Sequence, residues 1–270
     1  IVTDSEKYGA IRDSIDRHGF RYDSQEDFAK NVVGEIGNVK SERVSLENYE
    51  STTMKLEDFR IVYDEYENFL RRCGKIDFDD MLVFTYELLS ERPDILKMWQ
   101  NKFRYILIDE FQDINMIQYD IVKLLAGERQ NVFSVGDDDQ SVYGFRGAAP
   151  AIMKKFPEDF HGTVIEYLNV NYRCSYDIVE CSKRIIQNNR DRYEKQLRSA
   201  FAAGQSDRVH IVKTDSMTEQ NKKIIDRITE LNRAGIPYRE MAIIFRTNTE
   251  PRALASKLME NGIPFLMKDN

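Results

Sequence analysis

The 270 residues carry a formal net charge of -7 and a mean hydropathy of -0.55, the balance of a soluble globular chain long enough for two domains. No apolar run approaches the ~20 residues of a membrane span, and the opening IVTDSEKYGA, with no basic stretch followed by an apolar core, does not read as a signal peptide. The acidic balance argues against holding nucleic acid by bulk charge, but it leaves room for a groove that stacks bases and touches a few phosphates.

Residues 4 to 74 read as a helical module. Ile11, Ile15 and Phe20 form one apolar face. Phe28, Val32, Val33 and Ile36 form a second. Leu56, Phe59, Tyr63, Tyr66 and Leu70 form a third, widened by Val62 and Phe69. Gly74 ends the module. In IDFDDMLVFTYELLSERPDIL, the residues Phe78, Met81, Leu82, Phe84 and Leu88 make another helix face, and Pro93 interrupts the polar turn behind it. Asp77, Asp79 and Asp80 could be taken for a metal site, but acidic residues just before an apolar face suit a helix N-terminus better.

The segment Phe103 to Gly147 organises the chain. Tyr105 to Ile108 is an apolar run ending in Asp109-Glu110, and Val132 to Val135 is another ending in Gly136-Asp137. Between them Ile117, Tyr119, Ile121, Val122, Leu124 and Leu125 supply helical faces. This predicts one strand–helix–strand unit with parallel strands buried on both faces. Ligands of such sheets bind beyond the carboxyl ends of the strands. Here those ends carry Asp109, Glu110, Gln112, Asp113, Asp137 and Gln140. An Asp there can hold Mg²⁺ beside a nucleotide's phosphates, and a neighbouring carboxylate can orient or deprotonate an attacking water.

A helix is expected from Pro150 to Phe156, a break at His161-Gly162, and a strand over Thr163 to Leu168. A helix follows from Ser175 to about Asn189, with Ile178, Val179, Cys181, Ile185 and Ile186 inward. The basic stretch Lys183, Arg184, Arg190, Arg192, Lys195 and Arg198 reads as a solvated helix rather than a phosphate track. The last third repeats the rhythm: strand Val209 to Val212, helix Glu219 to Ala234, strand Met241 to Phe245, helix Glu250 to Glu260. That alternation predicts a second parallel sheet. Cys73, Cys174 and Cys181 match no common zinc spacing and read as reduced packing thiols of a cytoplasmic protein.

ILIDEFQD, then VGDDDQSVYGFRGA, then LNVNYR resemble, in order and spacing, motifs II, III and IV of superfamily 1A DNA helicases of the UvrD/Rep/PcrA type. The resemblance extends from IDFDDML to FRTNTEPR. It implies an α/β fold of partial, tandem RecA-like parallel-sheet motor domains with an N-terminal helical subdomain. The expected division is a helical inserted subdomain over 1–74, the later half of the first motor domain over 75–162 and the opening half of the second over 163–270. It also implies roles. Asp109 would position Mg²⁺, and Glu110 would activate the hydrolytic water. Gln140 would sense the γ-phosphate of ATP and link it to the nucleic-acid track. Tyr172 would stack on the nucleotide base, and Arg173 would reach the γ-phosphate across the domain cleft as an arginine finger. Tyr143 and Phe145, with Arg146, would stack on and contact single-stranded DNA, Phe145 standing where the family carries Trp.

The 270 residues contain no GxxxxGK[ST] loop. The nearest string, Gly34 to Ser41, has Asn38-Val39 between Gly37 and Lys40. The family's motifs V and VI are not found either. The expectation is therefore an internal piece of a longer 3′→5′ helicase that acts on single-stranded and duplex-junction DNA. The piece itself would be inactive and prone to self-association through unpaired strand edges. The alternatives are the motor of a helicase–nuclease and a helicase-like module that binds nucleic acid without hydrolysis.

Overall fold

The computed structural model describes the chain except residues 21–24, 43, 48, 143–150, 191, 205–208, 248–250 and 268–270, and for 25–27 it describes the backbone alone. The described chain divides by its contacts into two compact units. One comprises Ile1–Cys174 with Val179–Phe201, and the other Ser175–Ile178 with Ala202–Asn270. Among the described residues no helix is long and apolar enough to cross a membrane.

The first unit opens with three helices, α1 (Asp4–His18), α2 (Gln25–Glu42) and α3 (Leu56–Cys73). The Thr3 hydroxyl accepts from the Glu6 N–H while the Glu6 carboxylate accepts from the Thr3 N–H, a reciprocal cap that starts α1. Gly19 and Gly74 end α1 and α3 in the left-handed region. The expected apolar faces meet in one core of Ile11, Ile15, Phe28, Val32, Ile36, Phe59, Val62, Tyr66 and Leu70.

Helices α4 (Phe78–Glu91) and α5 (Pro93–Lys102) follow. Asp77 is the N-cap of α4, in a capping box with Asp80. The Asp cluster is thus a helix N-terminus, and it has a partner the sequence pattern did not reveal. Lys40, in α2, donates to Asp77 and Asp80 and pairs with Glu67. This ion cluster turns the Asp80 side of α4 inward, so the face expected to be buried lies outward: Phe78, Met81, Phe84 and Leu88 are exposed and Leu89 is buried. Pro93 does more than interrupt a turn. It occupies the first turn of α5, where its missing N–H costs nothing.

Strands β1 (Ile106–Ile108) and β2 (Val132–Ser134) pair in parallel, with Ile106 opposite Val132 and Ile108 opposite Ser134. Helix α6 (Met116–Ala126) connects them, as the strand–helix–strand reading requires. A core of Phe111, Tyr119, Ala126, Ile152, Phe156 and Phe160 packs on Ile106, Ile108 and Val132, with α7 (Ala151–Asp159) supplying Ile152 and Phe156. Burial on both faces does not hold: Leu107 is 73% and Phe133 61% exposed. Alternate strand residues face opposite sides, and among the described residues helices cover only one of them.

The run Thr163 to Leu168 forms no strand, and Val164 and Leu168 are exposed. The neighbouring strands are β3 (Val170–Asn171) and β4 (Arg198–Ser199), a short parallel pair. Between them α8 (Tyr176–Ile186) is shorter than expected. Val179 is buried in it, whereas Ile178 and Ile185 are exposed. Lys183 and Arg184 lie in the last turn of α8, whereas the described residues among 187–198 lie outside any helix, so the basic stretch beyond Arg184 is not a solvated helix. Cys73 is exposed rather than packed, while Cys174 and Cys181 are half-buried.

The second unit holds α9 (Met217–Arg233) and α10 (Pro251–Glu260), with a core of Ile225, Ile228, Leu254, Leu258 and Ile263. Residues 209–212 and 241–245 form no strand. An apolar run becomes a strand only when a neighbour takes its backbone hydrogen bonds, and Ile211 and Ile244 are almost fully exposed. The chain as a whole is α/β, mainly helical, with parallel sheets.

Candidate hydrolytic site

The site grows from the two parallel strand ends. Val135 donates its N–H to Ile108 O at 2.8 Å, and Phe111 donates to Val135 O at 2.9 Å, so the chain after β1 and the chain after β2 leave the sheet side by side. Glu110 sits between these bonds in the left-handed region, at φ 50° and ψ 44°. That conformation costs a non-glycine residue ~1–2 kcal/mol and persists where its surroundings hold it. The Glu110 N–H donates to Asp109 Oδ1 at 2.9 Å, and Glu110 Oε2 accepts from Gln112 Nε2 at 2.7 Å. Both carboxylates are exposed at the strand end, whereas Gln112 is buried.

Gln112 joins the two strand ends. Its Oε1 accepts the Asp137 N–H at 3.0 Å while its Nε2 holds Glu110. The approach requires a glycine beside it. A Cβ on Gly136 would lie 2.8 Å from Gln112 Oε1 and 3.2 Å from Gln112 N. Asp137 caps the 3₁₀ turn Asp138–Gln140 by accepting from Asp139 N–H, and its Oδ2 accepts from Gln140 Nε2 at 2.7 Å. One hydrogen-bonded chain thus runs from Glu110 through Gln112 and Asp137 to Gln140. Sequence reasoning placed Gln112 at the strand end without seeing this bridging role.

Two basic residues missing from the expected site complete it. Arg192 grips Asp139 through two bonds, Nε to Oδ1 at 2.8 Å and Nη2 to Oδ2 at 2.6 Å. Lys195 pairs with Asp137 and Asp138 and lies 3.0 Å from Asp139. Burial pushes the Asp137 carboxyl up, but the Lys195 ammonium and the Gln140 amide outweigh it and hold the group below the ordinary carboxylate range. Arg192 draws Asp139 down against its burial, with Lys195 assisting. Burial alone would lower the Lys195 value; the three carboxylates raise it instead. The oxygens of Asp137, Asp138 and Asp139 lie close enough together to hold a metal ion, but two protein cations already neutralise them. Asp109 is the less encumbered carboxylate. Its carboxylate is exposed, one oxygen is held by the adjacent N–H, and among the described residues the other has no hydrogen-bond donor. Mg²⁺ takes hard oxygen donors and keeps several waters, which suits one such carboxylate.

Tyr172 and Arg173 follow β3 and are exposed. Asn171 Oδ1 accepts the N–H groups of Arg173 and Cys174, which fixes the turn that presents them. Among the described residues neither side chain contacts the Asp109–Gln140 group. Tyr143, Phe145 and Arg146 lie outside the described residues.

Residues 3–161 match the UvrD/REP helicase N-terminal domain, and residues 166–270 match the UvrD-like helicase C-terminal domain. The chain belongs to the UvrD/REP helicase family. Among curated relatives, YjcD of Bacillus subtilis is 37% identical over 228 residues, which cover 84% of this chain and 29% of that protein. The ATP-dependent DNA helicase PcrA of Staphylococcus epidermidis is 33% identical over 272 residues, covering 99% of this chain and 36% of the relative. PcrA of Staphylococcus aureus is 32% identical over 269 residues, with the same coverage. This UvrD-family chain spans about a third of the length of these relatives. Its α/β architecture, with the parallel β1–α6–β2 unit, agrees with UvrD-like RecA-type motor domains.

Proposed function

We propose that this chain is part of an ATP-dependent DNA helicase that couples ATP hydrolysis to 3′→5′ movement on single-stranded DNA in repair or replication in the cytoplasm. The observation that carries the reading is the hydrogen-bonded chain Glu110–Gln112–Asp137–Gln140 across two parallel strand ends of a UvrD-family protein. We further propose the division into a helical subdomain over 1–74 and parts of two motor domains over 75–162 and 163–270. The separate family matches over 3–161 and 166–270 support the later boundary.

Asp109 would hold Mg²⁺, which would supply charge neutralisation for the phosphates of ATP. Glu110 orients the attacking water and takes its proton. Gln140 already spends one amide N–H on Asp137. It keeps a second N–H to read a phosphate oxygen and its carbonyl to accept from the DNA-binding side. Tyr172 offers an exposed ring for the base, and Arg173 a guanidinium for the transferring phosphoryl group. Tyr143, Phe145 and Arg146 bind the single strand. Phe145→Ala in the full-length protein is expected to weaken single-strand binding by ~1–3 kcal/mol, the worth of one stacked base, while basal hydrolysis is kept. Fluorescence anisotropy with labelled oligonucleotide reads this, and unchanged affinity would remove Phe145 from the DNA track.

Because these residues contain no GxxxxGK[ST] loop, the chain alone lacks the backbone N–H cradle and lysine that bind phosphates. Calorimetry with Mg·ATP on residues 1–270 should give a dissociation constant on the order of millimolar and no turnover, with self-association through unpaired strand edges. Micromolar binding or turnover would mean that the phosphate site lies elsewhere. Single-strand-stimulated ATPase of the full-length protein tests the main reading, and the absence of any stimulation would sink it.

A further inference from the structure

Lys195 and Arg192 lie outside every segment that carries the proposed reaction, yet they hold the turn that presents Gln140. Arg192 takes both oxygens of Asp139, and the Tyr193 N–H between the two basic residues donates to Asp138 Oδ2 at 2.7 Å. The Tyr193 hydroxyl anchors the same segment to Met153 O at 3.1 Å. Lys195 reaches all three carboxylates, and its partner Asp137 is the residue that accepts from Gln140 Nε2 at 2.7 Å. Asp137 also donates its N–H to Gln112, which in turn holds Glu110. One ammonium therefore stands at the root of both side chains proposed to face the phosphate.

The segment that carries Lys195 continues directly into β4, which pairs with β3. Arg198 donates to Asn169 O and Ala200 to Asn171 O, each at 2.8 Å, and Ser199 Oγ donates to Cys174 O at 2.9 Å. Asn171 in turn fixes the backbone of Arg173. A continuous path of bonds and short chain thus joins the Tyr172–Arg173 turn to the Gln140 turn. A lone surface ion pair would not be half-buried and shared by three consecutive carboxylates.

We infer that Lys195 is a positioning residue that sets the orientation of the Gln140 amide and ties it to the β3–β4 pair carrying Tyr172 and Arg173. The inference rests on the motor reading proposed above. Without the ammonium, three adjacent carboxylates keep only the Arg192 cation. Asp137 is then pushed from its neighbours, and Gln140 loses its fixed acceptor. Displacing a positioned group by an ångström costs roughly 100-fold in rate.

The test compares Lys195→Met, Lys195→Arg, Gln140→Ala and the double variant Lys195→Met/Gln140→Ala in the full-length protein. The readouts are kcat and KM for ATP with and without single-stranded DNA. Lys195→Met is expected to lower DNA-stimulated kcat by roughly 100-fold with a smaller change in KM, and Lys195→Arg to restore most of it. The double variant should be no slower than the worse single one, since both changes break the same link. Because Lys195→Met leaves uncompensated charge, Lys195→Met/Asp138→Asn is measured beside it, with thermal melting. This pair restores the charge balance without restoring the link to Asp137, so its kcat should stay low in a folded protein. Multiplicative losses in the Gln140 double variant, or normal kcat in the charge-balanced one, would overturn the inference. Glu110→Gln in the same assay separates the two ideas: full turnover there defeats the motor reading itself. In that event the side-chain amide resonance of Gln140 in the labelled chain still decides the link. It shifts and broadens in Lys195→Met if the link is real, and is unmoved if it is not.

Discussion

Glu110→Gln in the full-length protein is expected to abolish most ATP turnover, by ~10²–10⁴-fold, while nucleotide binding is kept. The geometry makes this substitution a clean one. Gln112 Nε2 donates to Glu110 Oε2 at 2.7 Å, and a glutamine at 110 offers an amide oxygen to the same donor. The left-handed backbone at φ 50° is held by neighbouring bonds, Glu110 N–H to Asp109 among them, that do not use the lost charge. What disappears is the proton acceptor. Single-turnover hydrolysis together with fluorescent-nucleotide binding separates the two effects. Turnover near wild type would remove Glu110 from the chemistry, and lost binding would make its role structural.

Lys40→Met is expected to destabilise the first unit by ~3–5 kcal/mol, the cost of removing one partner from a buried ion cluster. Lys40 is 6% exposed and its Nζ lies 2.7 Å from Glu67, 2.9 Å from Asp77 and 2.7 Å from Asp80. The Tyr66 hydroxyl adds a bond to Asp77 at 3.1 Å. Methionine fills most of the volume but leaves the carboxylates facing one another. Burial in the wild type pushes the Asp77 carboxyl up, and the Lys40 ammonium outweighs it, so the folded group lies below its ordinary value. Its contribution is therefore present above the unfolded carboxylate value of ~3.9 and lost as pH falls through the lower folded value. In Lys40→Met the Asp77 carboxylate loses its cation and burial lifts its folded value, which makes protonation less costly. The gap between variant and wild type should narrow from pH 7 to pH 4.5. Urea melts at both pH values read it. Equal midpoints at pH 7, or a gap that widens in acid, would contradict the assignment.

The helices and the strand–helix–strand unit were legible because they rest on local periodicity. The faces around Ile11, Val32 and Phe59 repeat every three to four residues and meet in one core. Asp109, Glu110 and Gln140 were legible because strand ends of a parallel sheet gather whatever polar residues follow them. What was not legible depends on partners distant in sequence. The apolar pattern of Phe78, Met81, Phe84 and Leu88 pointed inward until Lys40, far upstream in α2, drew Asp77 and Asp80 toward itself. Residues 163–168, 209–212 and 241–245 have strand composition, but composition cannot say whether a neighbour offers hydrogen bonds. Lys195 sat in a stretch whose positive charges looked like solvated helix. The triplet Asp137–Asp139 was the one available hint, since consecutive carboxylates at a strand end require a cation from somewhere in the fold.

The most direct measurement is duplex unwinding by the full-length protein with ATP and Mg²⁺, on substrates that carry either a 3′ or a 5′ single-stranded tail. Strand separation is expected on the 3′-tailed duplex, dependent on hydrolysable ATP and lost in Glu110→Gln. Unwinding from the 5′ tail alone, or ATP-independent strand separation that Glu110→Gln leaves intact, would contradict a 3′→5′ motor built on Asp109, Glu110 and Gln140.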